Sequence, residues 1–192
     1  MKDLMLILLK DLSDTHTISS LSKNLGLSRV GVWKIVKKLE SGDYVKVKPI
    51  GSGKTSTSVI SVNWSNPLVE KSLALYLSEE SLKQKMWRSN FSGIGDATDF
   101  LILFGSVLHS PKKANDIDII GVAEKRNFIE IQSIIDDVQK TQIKKIHSIN
   151  FTKTEFKNEL KKPNKAVIDA LKRGVVLFGQ ENFVKFMKAY GH

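Results

Sequence analysis

The apolar positions of the chain change period several times, and each change marks out an element or a set of elements. From Lys2 to Leu12, the residues Leu4, Leu8 and Leu12 recur with Met5 and Leu9 beside them, which is the stripe of an amphipathic helix. Ser19 precedes a second periodic run through Leu21 and Leu25 that stops at Gly26. This predicts a short helix with a hydroxyl N-cap and a glycine end. After the turn Gly26-Leu27-Ser28, Ser28 caps a third helix reaching about Glu40, and Ser41-Gly42-Asp43 ends it. The period then drops to two. Tyr44 to Lys48 and Ser58 to Val62 read as strands across a loop holding Gly51, Ser52, Gly53 and Lys54.

Asn66-Pro67, a cap followed by proline at the first helical position, opens a helix from Leu68 to about Arg88 with Leu73, Leu77 and Leu82 assigned to one side. Ser89 to Asp96 reads as loop. Beyond it the pattern changes to continuous apolar runs, FLILFG at 100–105 and IDIIGV at 117–122, typical of buried strands. A helix (Phe128 to Lys140), a strand (Ile143 to Phe151) and three helices (Thr154 to Leu160, Val167 to Arg173, Asn182 to Tyr190) follow. The expected class is α/β in an α+β arrangement. Residues 1–65 form a first domain, 66–90 a connecting helix, and 91–192 a second domain with a mixed sheet.

Charge sharpens this division. Thirty Lys and Arg against twenty Asp and Glu give a net charge of +10, which points to a polyanionic partner. Between Arg29 and Lys54 seven basic residues (Arg29, Lys34, Lys37, Lys38, Lys46, Lys48, Lys54) face two acidic ones, Glu40 and Asp43. On a helical wheel Val32, Ile35, Val36 and Leu39 fall on one side of the third helix. Val30, Lys34, Lys37 and Lys38 fall on the other, with Arg29 and Trp33 at the margin. Lysines along such a face gain affinity by displacing phosphate counterions, and residues at the helix start, Arg29 and Val30, are placed for base edges.

Cysteine is absent and histidine occurs four times, which excludes disulfide staples and thiolate zinc sites and fits a reducing, cytoplasmic setting. The opening MKDLMLILLKDL is broken by Lys10 and Asp11 and lacks a small-residue cleavage site. No targeting or membrane segment is expected.

The order of three helices and a basic hairpin is that of a winged helix-turn-helix. The run LSRVGVWKIVKKLESGDYV resembles the recognition-helix region of prokaryotic winged-helix regulators over roughly residues 18–62. The resemblance implies duplex DNA as a partner, contacted by Arg29, Val30, Lys34, Lys37 and Lys38 and by Lys46, Lys48 and Lys54 of the hairpin. The alternative is that the lysines are ordinary solvated surface, or that the module binds protein.

The second domain carries the denser chemistry. Gly105 permits a turn in which backbone N–H groups approach phosphate, and Ser106 adds a hydroxyl. Asp116 and Asp118, two apart in a strand, share one face while Ile117 and Ile119 take the other. Such a pair repels itself unless a divalent cation bridges it. The segment LILFGSVLHSPKKANDIDIIGV resembles the signature of the DNA polymerase β nucleotidyltransferase superfamily, and the likeness extends over about residues 95–180. It implies Mg²⁺ or Mn²⁺ on Asp116 and Asp118, and ATP or another NTP cradled by Gly105 and Ser106. The implied reaction moves a nucleoside monophosphate to a hydroxyl. Active members carry a third carboxylate on a later strand, whereas here that strand reads KKIHSINFTKTEF. His147, as a base, and Asn150, as a weak ligand, are the positions that could take its place. Whether the site turns over is left open. So is a regulator or antitoxin-like role, in which family analogy brings in a HEPN-type protein partner or a homodimer.

Overall fold

The computed structural model of the chain describes residues 1–12, 15–51, 57–162 and 165–191. Helices and two small sheets make it an α+β protein. Two compact units, Met1–Tyr76 and Leu77–His192, divide the chain. Among the described residues no helix is long and apolar enough to cross a membrane.

The first unit contains α1 (Lys2–Lys10), α2 (Ile18–Leu25), α3 (Arg29–Ser41), an antiparallel pair β1 (Val45–Ile50) and β2 (Thr57–Val62), and the start of α4 (Pro67–Leu82). The second helix is capped by Thr17 rather than Ser19. Its hydroxyl accepts from the Ser20 N–H at 3.2 Å, and Ser20 Oγ accepts from the Thr17 N–H at 2.9 Å. Thr17 is extended and bridged to Val59 of β2, so the chain passes directly from a strand-like contact into the helix. Gly26 ends that helix at φ 64°, and Ser28 caps α3 by accepting from the Gly31 N–H at 3.1 Å. Leu4, Met5, Leu21, Val32, Val36, Leu39 and Ile60 are buried, each worth about 1.5–3 kcal/mol of transfer free energy.

The expected single helix from Leu68 to Arg88 is broken. α4 stops at Leu82 and α5 (Lys85–Asn90) follows. The buried line of α4 runs Val69, Leu73, Leu77 and then Ser81, at a spacing of four, while Leu82 is 58% exposed. Five residues at about 100° each turn Leu82 roughly 140° away from Leu77. Ser81 donates its hydroxyl to the Leu177 carbonyl at 2.8 Å, and Arg88 of α5 donates to the same oxygen at 2.6 Å.

The second unit is built on a sheet of order β5-β4-β3-β6: β3 (Phe100–Phe104), β4 (Asp116–Val122), β5 (Lys145–Phe151) and β6 (Val175–Phe178). β3 runs antiparallel to β4 and β6, and β4 pairs parallel to β5. The helix α6 (Phe128–Lys140) makes that crossover. The strand β6 is not among the elements the periodicity predicts, because four apolar residues show no period. Its signal is the bounding glycines, Gly174 and Gly179. At Gly179 φ is 73° and a Cβ would collide with the Asp99 carbonyl.

One sheet face, with Leu101, Leu103, Ile117, Ile119 and Leu177, packs with Ile131 and Ile135 of α6 and Trp87 and Phe91 of α5. The other face carries α7 (Lys153–Lys161), α8 (Lys165–Arg173) and α9 (Gln180–Tyr190). There Phe100 meets Phe156 edge-on at 5.8 Å and Phe183 at 5.3 Å. Strand alternation sends Asp116 and Asp118 to this second face.

Candidate functional site

Burial of Ile117 and Ile119 fixes the register of β4 and thereby the direction of the aspartates, since a slip of one residue would turn both carboxylates into the core. Parallel pairing places His147 of β5 directly beside Asp118. Its Nδ1 lies 3.5 Å from Asp116 Oδ2 and 3.6 Å from Asp118 Oδ1. These are electrostatic contacts, slightly long for hydrogen bonds. One ligand atom from each of the three side chains lies within 4.8 Å of the others.

Gly105 closes the site from the end of β3. Its φ of 82° and ψ of −165° belong to glycine, and a Cβ there would collide with Asp118 Oδ2. Ser106, itself exposed, follows on a 3-10 turn (Ser106–Leu108) anchored by buried Val107 and by the Ser110 N–H donating to the Ser106 carbonyl at 2.8 Å. The carboxyl of Asp118 is held above its ordinary range. Burial is the main cause and the Asp116 charge the next, while His147 pulls in the opposite direction.

The two candidates for the third position part company. His147 joins the aspartates, but Asn150, three residues on, has the opposite parity and lies over Gly121, where a Cβ would come within 2.5 Å of its Oδ1. That oxygen is buried without a hydrogen-bond partner. His109, Lys112 and Lys113 sit exposed on the intervening loop, and Asp136 and Asp137 sit exposed on α6. Sequence reasoning missed Gln139. From α6 its amide donates to the Lys144 carbonyl at 3.0 Å and accepts from the Ile146 N–H at 2.8 Å. It therefore holds the start of β5 next to His147. Lys144 also donates its ammonium to the Ala114 carbonyl just before β4. A polar residue at the end of a crossover helix is the only sequence signal for such a clamp.

The basic residues of the first unit are arranged differently. Arg29, Val30, Lys34, Lys37 and Lys38 are exposed on α3, opposite buried Val32, Val36 and Leu39. Lys37 is engaged by Glu40 at 2.9 Å and lies 4.6 Å above the Trp33 ring. Arg29, Lys34 and Lys38 have no ion pair among the described residues. Lys46 and Lys48 share the exposed side of β1, with Lys46 donating to Ser65 Oγ at 3.4 Å. Lys54 lies outside the described residues.

No family model matches the chain, and no curated protein or solved structure does so either.

Proposed function

We propose that the chain is a nucleotidyltransferase-like protein that binds ATP or another NTP with Mg²⁺ or Mn²⁺ in its second unit and duplex DNA through its first. The observation that carries the reading is the convergence of Asp116, Asp118 and His147 beside a glycine turn with no room for a Cβ. The donor set fits a divalent cation. Two carboxylates too close to ionise together without cost gain from a shared positive charge, and an imidazole nitrogen can complete the set. The cradle fits phosphate, because Gly105 leaves its backbone bare beside Asp118 and Ser106 offers a hydroxyl. A divalent cation bound there would neutralise developing negative charge on a phosphoryl group.

The supported reaction is transfer of a nucleoside monophosphate to a hydroxyl, with loss of pyrophosphate. In it the two aspartates bind and orient. His147 faces them with Nδ1, so its unprotonated nitrogen would complete the ligand set of the cation, and the proton of the incoming hydroxyl would pass to solvent. The test is incubation with labelled ATP, Mg²⁺ and candidate acceptors, comparing the natural chain with Asp116→Asn/Asp118→Asn. Label must move to an acceptor only with the natural chain. Equal transfer by the variant overturns the assignment.

A second reading has its own support. The side chain beside Asp118 is an imidazole where the superfamily pattern calls for a carboxylate, which favours a DNA-binding regulator whose nucleotide site binds without turnover. Nucleotide-dependent change in DNA affinity, with no transfer, is the result that selects it.

A further inference from the structure

Away from the acidic cluster, α7 and α9 enclose a cleft of about 380 Å³. Its walls follow from helical spacing. Lys153 and Lys157 are one turn apart on α7, and Asn182, Lys185, Phe186 and Tyr190 line one face of α9. Phe156 and Phe183 are buried beneath, leaving the lysines exposed at the rim. The floor is aromatic and braced. Phe186 contacts Phe156 at 5.5 Å and stacks on Tyr190 at 6.4 Å with a 22° interplanar angle. Lys153 is neutralised by Asp99 at 2.6 Å. Lys157 and Lys185 have no ion pair among the described residues, and no carboxylate lines the cleft. Two uncompensated ammonium groups over an aromatic floor, with a side-chain amide beside them, form a site for an anion that also has a flat ring.

We propose that this cleft binds a nucleoside monophosphate unit, its phosphate between Lys157 and Lys185 and its base against Tyr190 and Phe186, without a metal ion. The unit comes either from a free mononucleotide or from a single nucleic-acid strand. The site is separate from the acidic cluster: β5 runs four residues, about 13 Å, beyond His147 before the chain turns at Thr152 into Lys153 of α7. It stands whether or not the aspartates bind a metal.

The test is an amide-shift NMR titration of the full chain with adenosine monophosphate in EDTA. Saturating shifts on α7 and α9 are expected. Lys157→Ala/Lys185→Ala should weaken binding about tenfold or more, and Tyr190→Ala about 5- to 100-fold. Lys157→Arg/Lys185→Arg should keep it, and Asp118→Asn should leave it unchanged. Unchanged affinity in the double alanine variant overturns the proposal. So does inorganic phosphate binding as tightly as the nucleotide, because the ring would then contribute nothing. Loss of binding in Asp118→Asn overturns it too, by placing the nucleotide at the aspartates. A nine-base thymidine strand, titrated into Arg29→Ala/Lys34→Ala/Lys38→Ala protein to silence α3, separates the sources. Binding tenfold tighter than the mononucleotide assigns a strand, and equal binding assigns the free nucleotide.

Discussion

The basic face of α3 and the acidic cluster of β4 and β5 solve opposite electrostatic problems. On α3 the cations are spread along an exposed helix, where water screens each from the next, so no single one is indispensable. At the cluster two carboxylates and an imidazole from two strands are brought within 4.8 Å, partly out of water. Crowding of like charge makes the cluster cooperative and costly. Dispersed sites lose function by degrees, whereas convergent ones lose it at once.

The sharpest way to break that contrast is a single substitution at the cluster. Asp118→Asn is expected to lower any nucleotidyl transfer by about 10³-fold or more in a labelled-ATP assay, the scale on which removal of a key electrostatic group acts. A loss of only a few-fold would put the cluster in the dispersed class. Gly105→Ala comes next. The left-handed glycine conformation and the collision with Asp118 Oδ2 predict a loss of about 1–3 kcal/mol in denaturant unfolding, together with loss of metal binding. Third is the face of α3. Arg29→Ala/Lys34→Ala/Lys38→Ala should weaken duplex DNA binding on the order of tenfold at moderate salt. The log–log salt slope should fall by about 0.9 for each phosphate contact removed. Single variants should each cost only a few-fold, and one that abolishes binding would show a convergent site here as well.

The smallest effect is on the metal-free protein. Because the folded carboxyl of Asp118 titrates above its unfolded value, the folded state binds that proton more tightly. Its penalty on stability is absent below the unfolded value and fully present above the folded one. Stability should therefore decline slightly as pH rises through the carboxylate range. Asp118→Asn should flatten that decline and, without metal, raise the melting temperature slightly at neutral pH, an effect kept small by solvent screening of a partly exposed carboxyl. The same change would thus strengthen the fold while removing a ligand of the proposed metal site.

The two regions also differ in how far the sequence discloses them. The basic face could be read from helical period alone, the Ser28 cap sets the start of α3, and α6 spans the expected Phe128–Lys140. The aspartate pair was legible from strand alternation, but its third member was not. Choosing between His147 and Asn150 requires the register of β4 against β5, a non-local fact, although parity already shows that the two cannot share a face. Leu82 misled for a related reason. A leucine five residues after Leu77 belongs to another side of the helix, and the buried continuation is a serine whose hydroxyl finds a carbonyl. β6 was too short to have a period, and Gln139 acts through backbone groups that no pattern marks.

Joint binding of a divalent cation and the phosphates of a nucleotide by Asp116, Asp118 and His147 is the proposal on which the role of the second unit rests. Its most direct test is the melting temperature of the full chain with Mg²⁺ or Mn²⁺ and a non-hydrolysable ATP analogue, in the natural sequence and in Asp118→Asn. At about a hundredfold excess over the dissociation constant, the natural chain should gain about 2.7 kcal/mol. The metal-dependent part of that gain should vanish in EDTA and in the variant. No metal-dependent gain in the natural chain, or the same gain in Asp118→Asn, would mean that these residues do not hold the cation.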